Sequence, residues 1–234
     1  MNKYDINDRT SYCLGMSLTI EALKNQANYV SEVILSNKAN RNEQLDLLLK
    51  LCNDNSIKVS YDDKTIDKLS LKENCYCIGF FNKYVSDLQS NKHLLIYRFN
   101  NYGDLGTILR SAICFDFKDI VLIDSDIDYF DPRCIRASMG SIFHCNIIKY
   151  NSLDDYLDAY PNQTILPFLS KSNNELSTLN VTDNYSIVIS QDYYGLDSIF
   201  NDGYYIDHKN LDEISLSIRS SIILEYLYHL NLKR

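Results

Sequence analysis

NYGDLGTILRSAICFDFKDIVLIDSDIDYFDPRCIRASMGSIFHCNIIKY, residues 101–150, is the stretch whose reading decides the fold. Gly103 and Gly106 sit in a turn that opens into an apolar helical run of Leu105, Ile108, Leu109, Ala112 and Ile113. That run carries one arginine, Arg110. The continuous β-type segment Asp119 to Ile123 follows at once. A second short helix, Asp131 to Ser138, brings Arg133 and Arg136 ahead of Met139-Gly140, and Cys145 to Tyr150 is a further strand. This alternation predicts an α/β fold with a mostly parallel, helix-covered sheet. Its glycines and arginines gather at element ends, where such sheets present ligand sites.

Outward from this stretch the rhythm continues. Upstream, His93 to Phe99 is a solid apolar run suited to a central strand buried on both faces. Downstream come a helix at Leu153 to Ala159, a strand at Gln163 to Phe168 and a polar, loop-like stretch from Ser170 to Asn184. A strand at Ser186 to Ser190 then ends in Gln191-Asp192-Tyr193-Tyr194-Gly195-Leu196. A short strand at Gly203 to Ile206 precedes a helix from about Asn210 to Leu230. Residues 1–90 read as a separate small α/β unit. Its helices are Ser17 to Asn25, Asn42 to Asn53 and Thr65 to Leu69, and its strands Tyr29 to Leu35, Ile57 to Val59 and Cys75 to Phe81. The polar Ser86 to Lys92 is the linker, so the expected domains are 1–90 and 91–234.

Composition bounds the function classes. The 234 residues are 45% hydrophobic and 23% charged, ordinary for a globular protein, and no apolar run approaches the length needed to span a bilayer. The N-terminus lacks a signal-peptide pattern, which makes the cytoplasm the expected location. The net charge is −8. Residues 1–92 hold 12 basic and 12 acidic side chains, so the whole deficit lies in residues 93–234, with 11 and 19. A protein this acidic engages nucleic acid only through a local basic patch. The seven cysteines are scattered, and no histidine cluster completes a metal site, so buried free thiols and no metal are expected. The acidic segment Asp124 to Asp128 reads as a solvated loop.

The turn Asn100 to Gly106 is neither a G-x-G-x-x-G fingerprint nor a P-loop. Arg110, alone on an apolar helix, is expected to be buried near the sheet edge, where a charge needs a partner, either a salt bridge or a ligand. GDLGTILRSA followed by DPRCIRASMGSIF resembles the first two motifs of the SpoU (TrmH) family of RNA ribose 2'-O-methyltransferases, in the SPOUT superfamily. The second motif is the more specific. A third is similar in weaker form: Ile189 to Leu196 stands at L-G-N-E-G-x-G-L, Ile206 at I-P-M, and Ile214-Ser215-Leu216-Ser217 at L-N-V-S. The similarity extends over nearly the whole chain, because residues 1–90 resemble the family's substrate-recognition domain.

The resemblance implies a trefoil-knotted, mostly parallel sheet, a homodimer, S-adenosylmethionine as cofactor and RNA as partner, with rRNA favoured over tRNA. It implies catalytic positions at Arg110, Asp104, Asp192 and Ser215, with Arg110 acting electrostatically on the 2'-oxygen or its neighbouring phosphate. Cofactor-binding positions are implied at Ser190, Gly195, Ile206, Ile214 and Leu216. Arg133, Arg136, Arg41 and Lys38 are the expected RNA contacts, against an alternative in which Arg133 and Arg136 pair with Asp131 or Asp128. Several positions depart from the family pattern: Asp104 stands for Asn, Ser190 for Gly, Gln191 for Asn, Asp192 for Glu and Tyr193 for Gly. Asp207 and His208 stand for Pro and Met, and Glu213 and Ser215 for Ser and Asn. Two further expectations follow from those departures and from the charge: an impaired RNA-binding or ribosome-assembly dimer that keeps the fold, and an acidic protein-interaction dimer.

Overall fold

The computed structural model describes residues 4–70, 74–169, 172–191, 193–207 and 214–232. The chain divides into two compact units, residues 1–84 with 128–144, and residues 85–127 with 145–234. The boundary near residue 85 lies close to the expected linker. Residues 128–144, expected in the second domain, pack instead with the first.

In the first unit, β1 (Thr10–Leu14), β2 (Val30–Leu35), β3 (Lys58–Tyr61) and β4 (Cys77–Asn82) form a sheet of order β1-β4-β2-β3. Only β2 and β3 run parallel in it. Its helices are α1 (Met16–Gln26), α2 (Glu43–Asp54) and α3 (Asp63–Leu69). Asn42 and Asp62 stop the chain at the starts of α2 and α3, their side chains accepting from backbone N–H groups of the first turn. Ile34, Ile66, Leu69, Ile78 and Phe80 form one core cluster. The strand β1 has no counterpart in the sequence reading.

Residues 128–144 join this unit for a physical reason. Phe130 and Phe143 meet Phe81 edge-on, with ring centroids 5.3 and 5.4 Å away. Lys83 holds Asp128 at 2.7 Å, and Tyr4 donates to the same carboxylate. The end of the acidic segment is thus a half-buried ion pair and not a solvated loop.

The second unit is built on β5 (Lys92–Tyr97), β6 (Asp119–Ile123), β7 (Asn146–Tyr150), β8 (Thr164–Pro167) and β10 (Tyr185–Ser190). The order is β7-β6-β5-β10-β8 and every pairing is parallel. The apolar runs predicted as central strands are β5, β6 and β10, with Leu94, Leu95, Ile96, Val121, Leu122, Ile187 and Val188 fully buried. In a small parallel pair, β9 (Asn174–Glu175) lies within the stretch expected to be loop, and β11 (Tyr204–Tyr205) lies within the short strand expected at Gly203 to Ile206. Helices α4 (Tyr102–Cys114), α6 (Leu153–Ala159), α7 (Tyr193–Ile199) and α8 (Leu216–Leu232) complete the unit, α5 (Pro132–Ala137) being in the first. Among the described residues no helix is long and apolar enough to cross a membrane.

The chain steps from β5 through β6 to β7 in one direction, then places β8 and β10 on the other side of β5. The order therefore reverses between β5 and β10, and in open parallel sheets ligands settle beyond the carboxyl ends of the strands at such a reversal.

The opposite, amino end of the sheet holds a buried polar network. His93 Nε2 donates to the Ser90 carbonyl at 2.9 Å, and Nδ1 lies 2.7 Å from Tyr156 Oη, which in turn lies 2.6 Å from Ser186 Oγ. Desolvation holds His93 below the usual imidazole range, against the opposing pull of the Ser90 carbonyl and the Asp119 charge. As pH falls, the unfolded chain takes up this proton first. Stability is therefore full above the ordinary imidazole pKa of about 6.5 and declines below it. Urea midpoints are expected to drop between pH 7.5 and 5.5, and to drop less in His93→Asn.

Candidate active site

A cavity lies at the carboxyl end of β10, lined by Phe168, Leu169, Ile189, Ser190, Ile206, Leu216, Arg219 and Ile223. Leu216, Arg219 and Ile223 are spaced three and four apart on α8, so one face of that helix forms a wall. Ser190 is 1% exposed, and its Oγ donates to the Tyr97 carbonyl at 2.9 Å, which ties the end of β10 to the end of β5. The cavity thus stands at the reversal of strand order. Three of the five expected cofactor positions, Ser190, Ile206 and Leu216, meet in it. Gly195, on α7, and Ile214 are not among its lining residues.

The walls are apolar apart from Ser190 and Arg219, a setting suited to a flat heteroaromatic ring. The free volume is about 20 Å³. That is room for roughly one water, so a nucleoside enters only as wall side chains move apart. Arg219 is 6% exposed and its Nη2 donates to the Ser190 carbonyl at 3.4 Å. Burial lowers its guanidinium pKa to about 10, which leaves it charged at neutral pH.

A second face of α8 meets α4. Ser217 Oγ donates to Asp104 Oδ1 at 2.8 Å and lies 2.9 Å from Ser215 Oγ; one turn on, Ser221 Oγ lies 2.7 Å from Ser111 Oγ. Two expected catalytic positions, Asp104 and Ser215, are therefore joined through Ser217. Their geometry is that of a helix–helix clamp. Asp192 lies outside the described residues, as do His208 and Glu213. Tyr193 begins α7.

Arg110 corrects an expectation. It is exposed, and among the described residues its guanidinium makes no ion pair or hydrogen bond. Leu105, Ile108, Leu109 and Ala112 cover the core from the same helix, leaving Arg110 on the outer flank. Asn101 fixes the start of α4 by accepting from the N–H groups of Gly103 and Asp104 at 2.9 and 3.1 Å. Arg110 stands six residues beyond Asp104, about 9 Å along the axis.

The expected RNA contacts lie in the first unit. Arg133 is held by Asp131, Nε to Oδ1 at 2.9 Å and Nη2 to Oδ2 at 2.7 Å, as the pairing alternative anticipated. Arg41 pairs with Asp46 at 3.0 Å. Lys38 and Arg136 are exposed, with no ion pair among the described residues. All seven cysteines are free. Five are buried, Cys75 is half-buried, and Cys114 is exposed, against expectation. Burial pushes the Cys13 thiol up to about 12, so it is inert at neutral pH.

Sequence reasoning placed Ser217 in the third motif without a role of its own, and missed Arg219 and the wall residues Phe168, Leu169 and Ile223. The helical spacing of 216, 219 and 223 was the available signal; no local pattern marks Phe168 and Leu169.

Comparison with known proteins bears on this arrangement. The model of the SpoU rRNA Methylase family matches residues 91–200. Over 69 residues, 30% of this chain, the sequence is 35% identical to the 23S rRNA (guanosine(2553)-2'-O)-methyltransferase RlmP of Bacillus subtilis. That match spans only 27% of the relative's length. Among solved structures, the AdoMet-bound rRNA methyltransferase from Sinorhizobium meliloti superposes with a TM-score of 0.78 at 19% identity, covering 95% of this chain and 88% of that one. The SpoU methyltransferase AviRb from Streptomyces viridochromogenes gives 0.81 at 12% identity, covering 96% and 91%. These structural likenesses establish a shared α/β fold with a parallel sheet, and residues 91–200 are similar to the SpoU rRNA Methylase family.

Proposed function

We propose that the chain transfers a methyl group from S-adenosylmethionine to a ribose 2'-oxygen of RNA. The observation that carries this reading is the meeting of Ser190, Ile206 and Leu216, distant in sequence, in one cavity at the reversal of strand order. When bound, the cofactor supplies an electrophilic methyl on a sulfonium. Phe168, Leu169, Ile189, Ile206 and Leu216 would hold its adenosine by apolar contact, and Ser190 would close the end of β10 beneath it. Arg110 supplies a cation to the RNA side. A guanidinium keeps its proton, so its part is to position the 2'-hydroxyl or the adjacent phosphate and to stabilise charge developing on oxygen. Asp104, Ser217 and Ser215 hold α4 against α8 and thereby fix the helix that carries Arg110.

The reading extends to features the family resemblance implies: a knotted sheet, ribosomal RNA as substrate engaged by the first unit with Lys38, Arg41, Arg133 and Arg136, and a cytoplasmic location. A homodimer through α4 and α8 is supported by Ile218 and Ile222, one turn apart on α8 and 54% and 38% exposed. The narrowness of the cavity favours a second reading, a non-catalytic RNA-binding dimer. Incubation with methyl-labelled cofactor and either rRNA or tRNA separates the two. Label is expected in rRNA. No label, together with no calorimetric binding of the cofactor at millimolar concentration, would establish the second reading.

A further inference from the structure

We propose that Arg219 is a charge-selecting residue, through which the cavity takes the neutral demethylated product, S-adenosylhomocysteine, in preference to the cationic cofactor. The inference rests on the methyltransferase reading above. Arg219 stands in the same wall as Leu216 and Ile223, is 6% exposed, and reaches the carbonyl of Ser190 at the end of β10. Ser190 apart, the other lining side chains are apolar: Phe168, Leu169, Ile189, Ile206, Leu216 and Ile223. Such walls offer little dielectric screening, so the guanidinium charge acts at longer range than it would in water.

The cofactor and its product share the adenosine, the ammonium and the carboxylate. They differ by one methyl group and the unit positive charge on sulfur. In a pose common to the two ligands, attraction of Arg219 for the carboxylate and repulsion of the ammonium are equal for both and cancel in the ratio of their affinities. Repulsion of the sulfonium does not cancel. At an effective dielectric of about 20, a second unit charge anywhere within about 12 Å changes a binding constant roughly tenfold or more. The consequence is retention of product, so that methylation slows as the ratio of cofactor to product falls.

The test is calorimetric titration of the whole protein with each ligand separately, in wild type, Arg219→Met and Arg219→Lys. Wild type is expected to bind S-adenosylhomocysteine more tightly. The methionine variant should lose about tenfold of that preference, and the lysine variant should keep most of it, because charge and not shape is the agent. Equal change of both affinities in Arg219→Met, leaving their ratio intact, would overturn the proposal and leave the methyltransferase reading standing. Failure of wild type to bind either ligand would remove the methyltransferase reading and this proposal with it. If Arg219→Met proves unfolded by circular dichroism, Arg219→Gln, polar and uncharged, takes its place with the same two outcomes.

Discussion

Arg110→Ala is expected to lower methyl transfer at least about 100-fold, the usual consequence of removing a donor aimed at developing oxyanion charge. The side chain is exposed, and among the described residues it makes no ion pair or hydrogen bond, so its loss leaves no buried group orphaned. Stability should therefore move by no more than about 0.5 kcal/mol, as for other surface substitutions. Cofactor affinity should stay unchanged, because Arg110 is not among the residues lining the cavity. The loss then appears in turnover at saturating cofactor and not in the calorimetric titration. Arg110→Lys keeps the charge but not the planar fork, and should recover only part of the activity. Wild-type turnover in Arg110→Ala would remove this residue from the chemistry.

Gly203→Ala is expected to damage the fold and the cavity together. A Cβ at this position would sit 2.5 Å from the Pro167 carbonyl oxygen and 3.0 Å from Leu169 Cδ1. Backbone stands on one side of that contact, so no rotamer change relieves it. The two segments are locked: Phe168 bridges Tyr204 in parallel, and the Leu169 N–H donates to the Tyr204 carbonyl at 2.9 Å. Phe168 and Leu169 form one wall of the cavity, and Ile206, three residues after Gly203, forms another. Overpacking of this kind costs about 1–3 kcal/mol, a drop of roughly 2–4 °C in melting temperature per kcal/mol for a chain of this size. Cofactor affinity is expected to fall about tenfold or more as the walls are pushed apart. A melting temperature and affinity equal to wild type would show that this contact does not set the geometry of the cavity.

The second unit was largely legible in the sequence, because continuous apolar runs and helical spacing report directly on burial. The helix at Leu153–Ala159 and the strand at Asp119–Ile123 have the bounds that periodicity predicts. What periodicity missed were elements whose existence depends on partners distant in the chain. The strand β1 is ordered by pairing with β4, and β9 by pairing with β11. The site was legible only in part, and Arg110 shows why. A single arginine in an apolar helix signals a buried charge only if it falls on the core-facing stripe. Arg110 falls on the outer flank of α4, whereas Arg219, amid Ile218, Ile222 and Ile223, falls on the stripe and is the buried one. The grouping of Arg133 and Arg136 with the first unit was not readable either, since it follows from aromatic packing of Phe130 and Phe143 against Phe81.

The measurement that bears most directly on the account is the identity of the methylated nucleoside. Ribosomal RNA incubated with the protein and methyl-labelled cofactor, digested to nucleosides and resolved by mass spectrometry, should carry the label on a ribose 2'-oxygen, and Arg110→Ala should leave that product absent. Label on a base, or a 2'-O-methyl yield indifferent to Arg110, would contradict it.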